Sequence, residues 1–236
     1  MGVRRRKTKK AINMKKFIHL FVLAVLLMMG GQGFAQNKHE YVDLGLPSGT
    51  LWATCNVGAN SPEEYGDYFA WGETESSLFY DADFYEYYDD DRNLTKYCNN
   101  PLDGHHGFAD NLTILQASDD AATANWGSGW YTPTEAQWRE LLKNTTYTSY
   151  TWDGVRGILF SGKNGAVLFL PAAGWQEGAK DDVAGDDGCY WSSSLNKDNP
   201  HRAWSCYFEW VDGKCEMTDD FGRRDGATIR PVRSKK

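Results

Sequence analysis

"DDAATANWGSGWYTPTEAQWRELL", Asp119 to Leu142, is the stretch whose interpretation decides the fold. Thr132 reads as a helix N-cap, Pro133 as the first helical position and Glu135 as the acid that completes a capping box. Trp138, Leu141 and Leu142 then fall at i, i+3 and i+4, an apolar stripe that has to be buried against something. "SDDAATA" just upstream reads as a shorter helix capped by Ser118.

On either side the pattern turns to strands. "YVDLGLPSGTLWATCNVGA" (Tyr41 to Ala59) suggests two short strands around the turn Pro47-Ser48-Gly49. "SPEE" follows as one helical turn capped by Ser61, and "DYFAWGE" resumes strand character. "GILFSGKNGAVLFLPAAG" has two apolar runs around Lys163-Asn164-Gly165, a hairpin signal. "AWSCYFEWVDGKCEMTDDF" is a second, turning at Asp212-Gly213. There Trp204, Cys206, Phe208 and Trp210 alternate onto one face, continued by Cys215 and Met217, while Ser205, Tyr207, Glu209, Glu216 and Thr218 face the other way. This register sets Trp210 opposite Cys215 and leaves Cys206 beyond disulfide reach of Cys215. From Ser76 to Gly107 periodicity is lost. "FYDADFYEYYDDDRN" is too polar for a core strand and too aromatic for a disordered tail, so an ordered long loop is expected.

The first 35 residues stand apart. Eight Lys or Arg lead into the apolar run Phe17 to Met29, and Gly33 and Ala35 suit cleavage after Ala35. The run is short for a membrane span, so a signal peptide for the general secretory route is expected, with residues 36–236 as a single domain in the periplasm, on the cell surface or outside the cell. Of 25 basic residues, removing those eight leaves 17 against 32 acidic ones, a net charge of −15. Such a surface argues against nucleic acid and anionic lipid as partners. Five cysteines (Cys55, Cys98, Cys189, Cys206, Cys215) cannot all pair within one chain, and their spacing fits no zinc motif.

Six blocks in order, "DLGLPSGTLWATCNVGA", "PEEYGDYFAWGET", "DDAATANWGSGWYTPTEAQWREL", "FLPAAG", "YWSSS" and "GATIRPV", resemble the secreted Bacteroidetes and Fibrobacter paralogous domain called the Fibrobacter succinogenes major domain. The resemblance runs from Tyr41 to Val232, nearly the whole exported chain. That family is similar in turn to the formylglycine-generating-enzyme type of C-type-lectin-like fold. The resemblance implies an α+β domain, a small twisted antiparallel sheet with one or two helices and long irregular loops. Because that fold hosts enzymes, sugar binders and hypervariable receptors, it implies no activity by itself.

The chemistry-bearing stretch is "GCYWSSSLNKDNPHRAW", Gly188 to Trp204. Ser192, Ser193 and Ser194 lie near His201, yet there is no GxSxG elbow and no acid placed to orient the histidine. In domains of the resembled type the YWSS block is structural. Copper-dependent enzymes of that type use two nearby cysteines, for which Cys206 and Cys215 are the candidates, but the surrounding pattern does not match. Calcium lectins of this fold use a Glu-Pro-Asn-like loop and a Trp-Asn-Asp strand. Asp198-Asn199-Pro200 and Trp210-Val211-Asp212 depart from both, and Asp89, Asp91 and Asn93 lack the glycine and glutamate of an EF-hand. No catalytic residue, metal or cofactor is therefore assigned. The remaining expectation is a non-catalytic module that displays Asn196, Asn199, His201, Arg202, Tyr207, Glu209, Thr218, Arg223 and Arg224 to a glycan or protein ligand. Two alternatives stay open: the target protein of a diversity-generating retroelement, varied in its late segment, and a formylglycine-generating-type enzyme.

Overall fold

The computed structural model describes residues 39–178 and 180–235, so the leader expected over residues 1–35 lies outside the described residues. Helix α1 spans Ala121–Trp126 and helix α2 spans Glu135–Asn144. The second begins two residues later than the sequence suggests. Tyr131 to Gln137 holds two overlapping capping boxes, Thr132 with Glu135 and Thr134 with Gln137. The fold uses the second. Thr134 Oγ1 accepts from the Gln137 N–H at 3.3 Å, and Gln137 Oε1 accepts from the Thr134 N–H at 2.9 Å. Thr132 is already engaged, its N–H and hydroxyl donating to the Asp120 carboxylate at 2.9 and 2.8 Å. That carboxylate, not Ser118, also caps α1 by accepting from the Ala122 N–H at 2.9 Å. The buried stripe is as expected, with Trp138 and Leu141 inaccessible and Leu142 packed against them. Ser61 to Glu64 makes a turn rather than a helix, and the Glu64 carboxylate accepts from the N–H of Asn60.

Among the described residues the strands form four sheets rather than one. β1 (Tyr41–Val42), β2 (Leu51–Ala53) and β13 (Val232–Arg233) make a three-stranded sheet. β4 (Thr146–Trp152), β5 (Val155–Ser161) and β6 (Val167–Pro171) make a meander, and β7 (Trp175–Glu177) pairs with β8 (Lys180–Asp182). The largest sheet contains β3 (Tyr68–Phe69), β9 (Asp187–Leu195), β10 (Ala203–Glu209), β11 (Lys214–Thr218) and β12 (Ala227–Thr228), in the order β11-β10-β9-β12-β3. It is mixed, not wholly antiparallel. After β11 the segment 219–226 carries the chain across β10 and β9, so β12 runs parallel to β9 with Thr228 beside Tyr190. The α+β class is as expected.

Strand β9 is buried on both faces, which is why "CYWSSSL" reads as a continuous small-and-apolar run. Tyr190 points into a cluster with Trp52, Trp138, Leu141, Phe160 and Phe208. Cys189, Trp191 and Leu195 point into another with Phe69, Trp71, Ala121 and Ala122. Indole N–H groups lock these layers to backbone: Trp138 to the Trp191 carbonyl at 3.2 Å, Trp71 to that of Ser192 at 2.8 Å, and Trp191 to that of Phe69 at 2.8 Å. The three serines are small for a reason. The Ser193 N–H donates to the Pro133 carbonyl and the Ser193 carbonyl accepts from the Leu115 N–H, so two further segments approach β9 closely there, while β10 runs along it with Ala203 opposite Leu195.

The β10–β11 hairpin has a different register from the expected one. Phe208 pairs with Cys215 and Cys206 with Met217. The loop therefore holds four residues, Trp210 to Gly213, with Gly213 in the left-handed region (φ 66°) and its N–H bonded to the Glu209 carbonyl. Trp210 leaves the core face: its Nε1 donates to the Tyr150 carbonyl at 3.2 Å, and Arg156 lies over its ring at 4.5 Å. Ser205, expected outward, is fully buried. Among the described residues no helix is long and apolar enough to cross a membrane.

The choice between rival caps is testable. Thr134→Ala should lower stability to urea by about 1 kcal/mol, whereas Ser118→Ala should change it by less than about 0.5 kcal/mol. Equal losses would mean that the caps are assigned wrongly.

Candidate functional site

The nine residues expected to display a ligand face divide sharply. Arg223 is fully buried. Its Nε donates to the Tyr85 hydroxyl at 2.8 Å, Nη1 to the carbonyls of Tyr97 (3.2 Å) and Pro200 (3.0 Å), and Nη2 to that of Lys96 (3.1 Å). The guanidinium lies over the rings of Trp71, Tyr85, Tyr87 and Tyr97 at 4.8 to 5.8 Å. A cation whose donors and faces are this fully taken is structural, and its assignment to a ligand is corrected. Asn196 is also buried: its Nδ2 donates to Asp219, and its Oδ1 accepts from the N–H groups of Asp198 and Asn199, shaping the turn. Asn199 is exposed but accepts from the His201 N–H. Thr218 donates to Asp220, and Glu209 lies exposed at the strand end.

His201, Arg202 and Arg224 do converge. They line an open cleft of about 360 Å³ together with Tyr88, Trp175, Glu177, Asp220, Phe221, Gly222 and Asp225. Tyr207 abuts its aromatic wall, where Trp175 and Phe221 meet edge-on at 5.0 Å and Tyr207 stands 5.9 Å from Phe221 and 6.2 Å from Trp175. The crossover segment supplies the floor. The Arg223 N–H donates to the His201 carbonyl, and Gln176 and Gly226 exchange backbone bonds at 2.8 and 2.9 Å, bringing β7 alongside. Within the turn the Asp225 N–H bonds the Gly222 carbonyl, while Asp225 Oδ2 accepts from the Gly222 N–H at 2.7 Å.

Charges in the cleft are matched but loosely. Arg202 lies 3.7 Å from Asp220, and Arg224 lies 3.5 Å from Glu177 and 3.6 Å from Asp225. Asp225 Oδ1 is buried with no hydrogen bond. Burial pushes the Asp225 carboxyl up to about 6, against the opposing Gly222 N–H and Arg224. His201 Nδ1 is 3.0 Å from the Tyr88 hydroxyl and Nε2 is 3.6 Å from Asp103. Burial holds the imidazole below its ordinary pKa despite Asp103.

The sharper chemistries fare differently. His201 faces Tyr88 and Asp103, whereas Ser193 is buried in β9 and the Ser194 hydroxyl accepts from the Glu135 N–H. Cys206 and Cys215 sit two positions apart on one core face, and burial raises both thiols, Cys215 to about 12 and Cys206 well above its ordinary value. All five cysteines are unpaired and buried. The Asp89 carboxylate is occupied by the N–H groups of Asp91 and Asn93 and by His105. No trio of His, Cys, Asp or Glu placed to hold a metal occurs among the described residues.

Tyr88, Trp175 and Glu177 had no sequence signal tying them to the late segment, since they arrive from the long loop and the β7 ribbon. Asp220, Phe221 and Asp225 could have been found as neighbours of the arginines. Comparison with protein-family models, with curated proteins and with solved structures found no match to this chain.

The raised Asp225 carboxyl fixes a pH dependence. The folded state holds the proton more tightly than the unfolded chain, so this group's contribution to stability is fully present below about pH 4 and is lost as pH rises to about 6. Relative to Asp225→Asn, the parent protein should lose stability across that window, measured by urea unfolding at each pH. A parent-minus-variant difference that is flat or rises with pH would contradict the assignment.

Proposed function

We propose that this chain is an exported, non-catalytic binding module with a C-type-lectin-like fold, whose ligand is a glycan or a protein outside the cell. The observation that carries this reading is the preformed cleft, where an aromatic wall, two arginines and three carboxylates meet on backbone that Arg223 and the Gln176–Gly226 exchange hold rigid. Two helices, a five-stranded sheet and a long packed loop support the α+β part of the fold implied by the family resemblance, although that sheet is mixed rather than antiparallel. The non-catalytic reading is supported by serines and cysteines that serve packing and backbone bonding. The reading as a retroelement target draws support from the same place: seven of the ten lining residues fall between His201 and Asp225. A template repeat and reverse transcriptase beside the gene would decide for it.

The test is a glycan-array and mucin-binding screen of the exported protein, with and without calcium. Binding independent of calcium and at least about tenfold weaker in the Trp175→Ala/Arg202→Ala variant is expected, a loss of about 1.4 kcal/mol. Absence of binding, or binding indifferent to the double variant, would overturn the cleft as the ligand site.

A further inference from the structure

We infer that the cleft recognises an uncharged pyranose residue, rather than an acidic sugar or a cationic group. This rests on the binding reading above and narrows it. Three features of the geometry point the same way.

The first is charge. Each arginine is already matched: Arg202 to Asp220 and to the Asp219 carbonyl, which accepts from Nη1 at 3.2 Å, and Arg224 to Glu177 and Asp225. No cation stands free to greet a carboxylate ligand, and the exported chain's net charge of −15 adds a repulsive field. The same field attracts a cationic ligand, but each carboxylate it would meet in the cleft already faces Arg202 or Arg224.

The second is spacing. The ion pairs are 3.5 to 3.7 Å long, wider than direct charge-assisted hydrogen bonds of about 2.7–2.9 Å. Each pair therefore keeps donor and acceptor capacity. A sugar hydroxyl donates and accepts at once, so vicinal hydroxyls can bridge an arginine and its carboxylate without stripping either charge of its partner. A charged ligand has to displace one member of a pair, a small cost at exposed Asp220 and Glu177 and a larger one at Asp225, whose side chain is 13% exposed.

The third is the ledge. Trp175, steadied edge-on by Phe221 and flanked by Tyr207, offers a fixed, half-buried ring beside those polar groups. An apolar C–H face stacks on such a ring while the sugar's rim reaches polar partners.

The experiment uses neutral methyl hexosides and methyl N-acetylhexosaminides, the corresponding hexuronates, and the 2-amino-2-deoxyhexosides, each titrated into the exported protein. Saturation-transfer NMR and tryptophan fluorescence report binding. At least one neutral glycoside should bind, with its uronate and amino counterparts at least about tenfold weaker. Trp175→Ala should weaken the neutral glycoside at least tenfold. Arg224→Ala, at a partly exposed side chain, should weaken the neutral glycoside and strengthen the amino sugar, an inversion that a merely destabilised cleft does not produce. Preferred binding of a uronate or amino sugar, lost in Trp175→Ala, overturns the neutral class and leaves the cleft reading standing. Binding of mucin or protein at the cleft with no glycoside bound does the same. Glycoside binding unaffected by Trp175→Ala and Arg224→Ala overturns both.

Discussion

A buried guanidinium held by four aromatic rings and no carboxylate is the interaction on which the rest of this structure depends. Moving a cation out of water costs several kcal/mol, and the cost is met here by hydrogen bonds and ring faces rather than by an opposite charge. Arg223 meets it with Trp71 after β3, Tyr85 and Tyr87 in the long loop, the Lys96 and Tyr97 carbonyls, and Pro200 ahead of β10. Hydrogen bonds to a charged donor contribute about 1.5–3 kcal/mol each, and a desolvated cation–π contact about 2. The donors fan out in one plane, so the segments that accept them are fixed relative to one another. Because Arg223 sits between Gly222 and Arg224, the clamp also fixes the cleft floor.

Arg230 is a second buried guanidinium, held beside β2 by hydrogen bonds alone, with its Nη2 left without a hydrogen bond. Its Nε donates to Asn56 at 2.7 Å and its Nη1 to the carbonyls of Ala53 and Thr54, again without a carboxylate partner, and burial lowers its pKa. The last segment thus fastens itself to the first strands and to the long loop through two buried arginines. Between them β9 provides the wall that both apolar layers share, with its indole-to-carbonyl bonds setting the layer spacing.

Much of this was legible in the sequence, and the failures have physical causes. Alternation and turn chemistry are local, so both hairpins and the ordered long loop were readable from their own residues. The helix start was misread because two capping boxes overlap, and a tertiary bond from Thr132 to Asp120, invisible in either box, chose between them. The β10–β11 register slipped because a four-residue loop replaces the tight turn that Asp212-Gly213 suggests. At the site, His201, Arg202 and Arg224 were found as polar residues in a late loop. Arg223 has the same sequence character as Arg224, and only the rings of a loop more than 120 residues away in sequence made it a core residue. Tyr88 and Trp175 join the cleft by the same kind of long-range closure, which no local pattern encodes.

The central claim is that Arg223 holds the long loop and the cleft floor in place while β9 stands independently of it. Hydrogen exchange measured by mass spectrometry on the parent protein and Arg223→Met tests this most directly. Segments 80–107 and 219–226 should exchange at least about tenfold faster in the variant, with β9 amides still protected. Unchanged protection in those two segments, with the variant folded, would contradict the account.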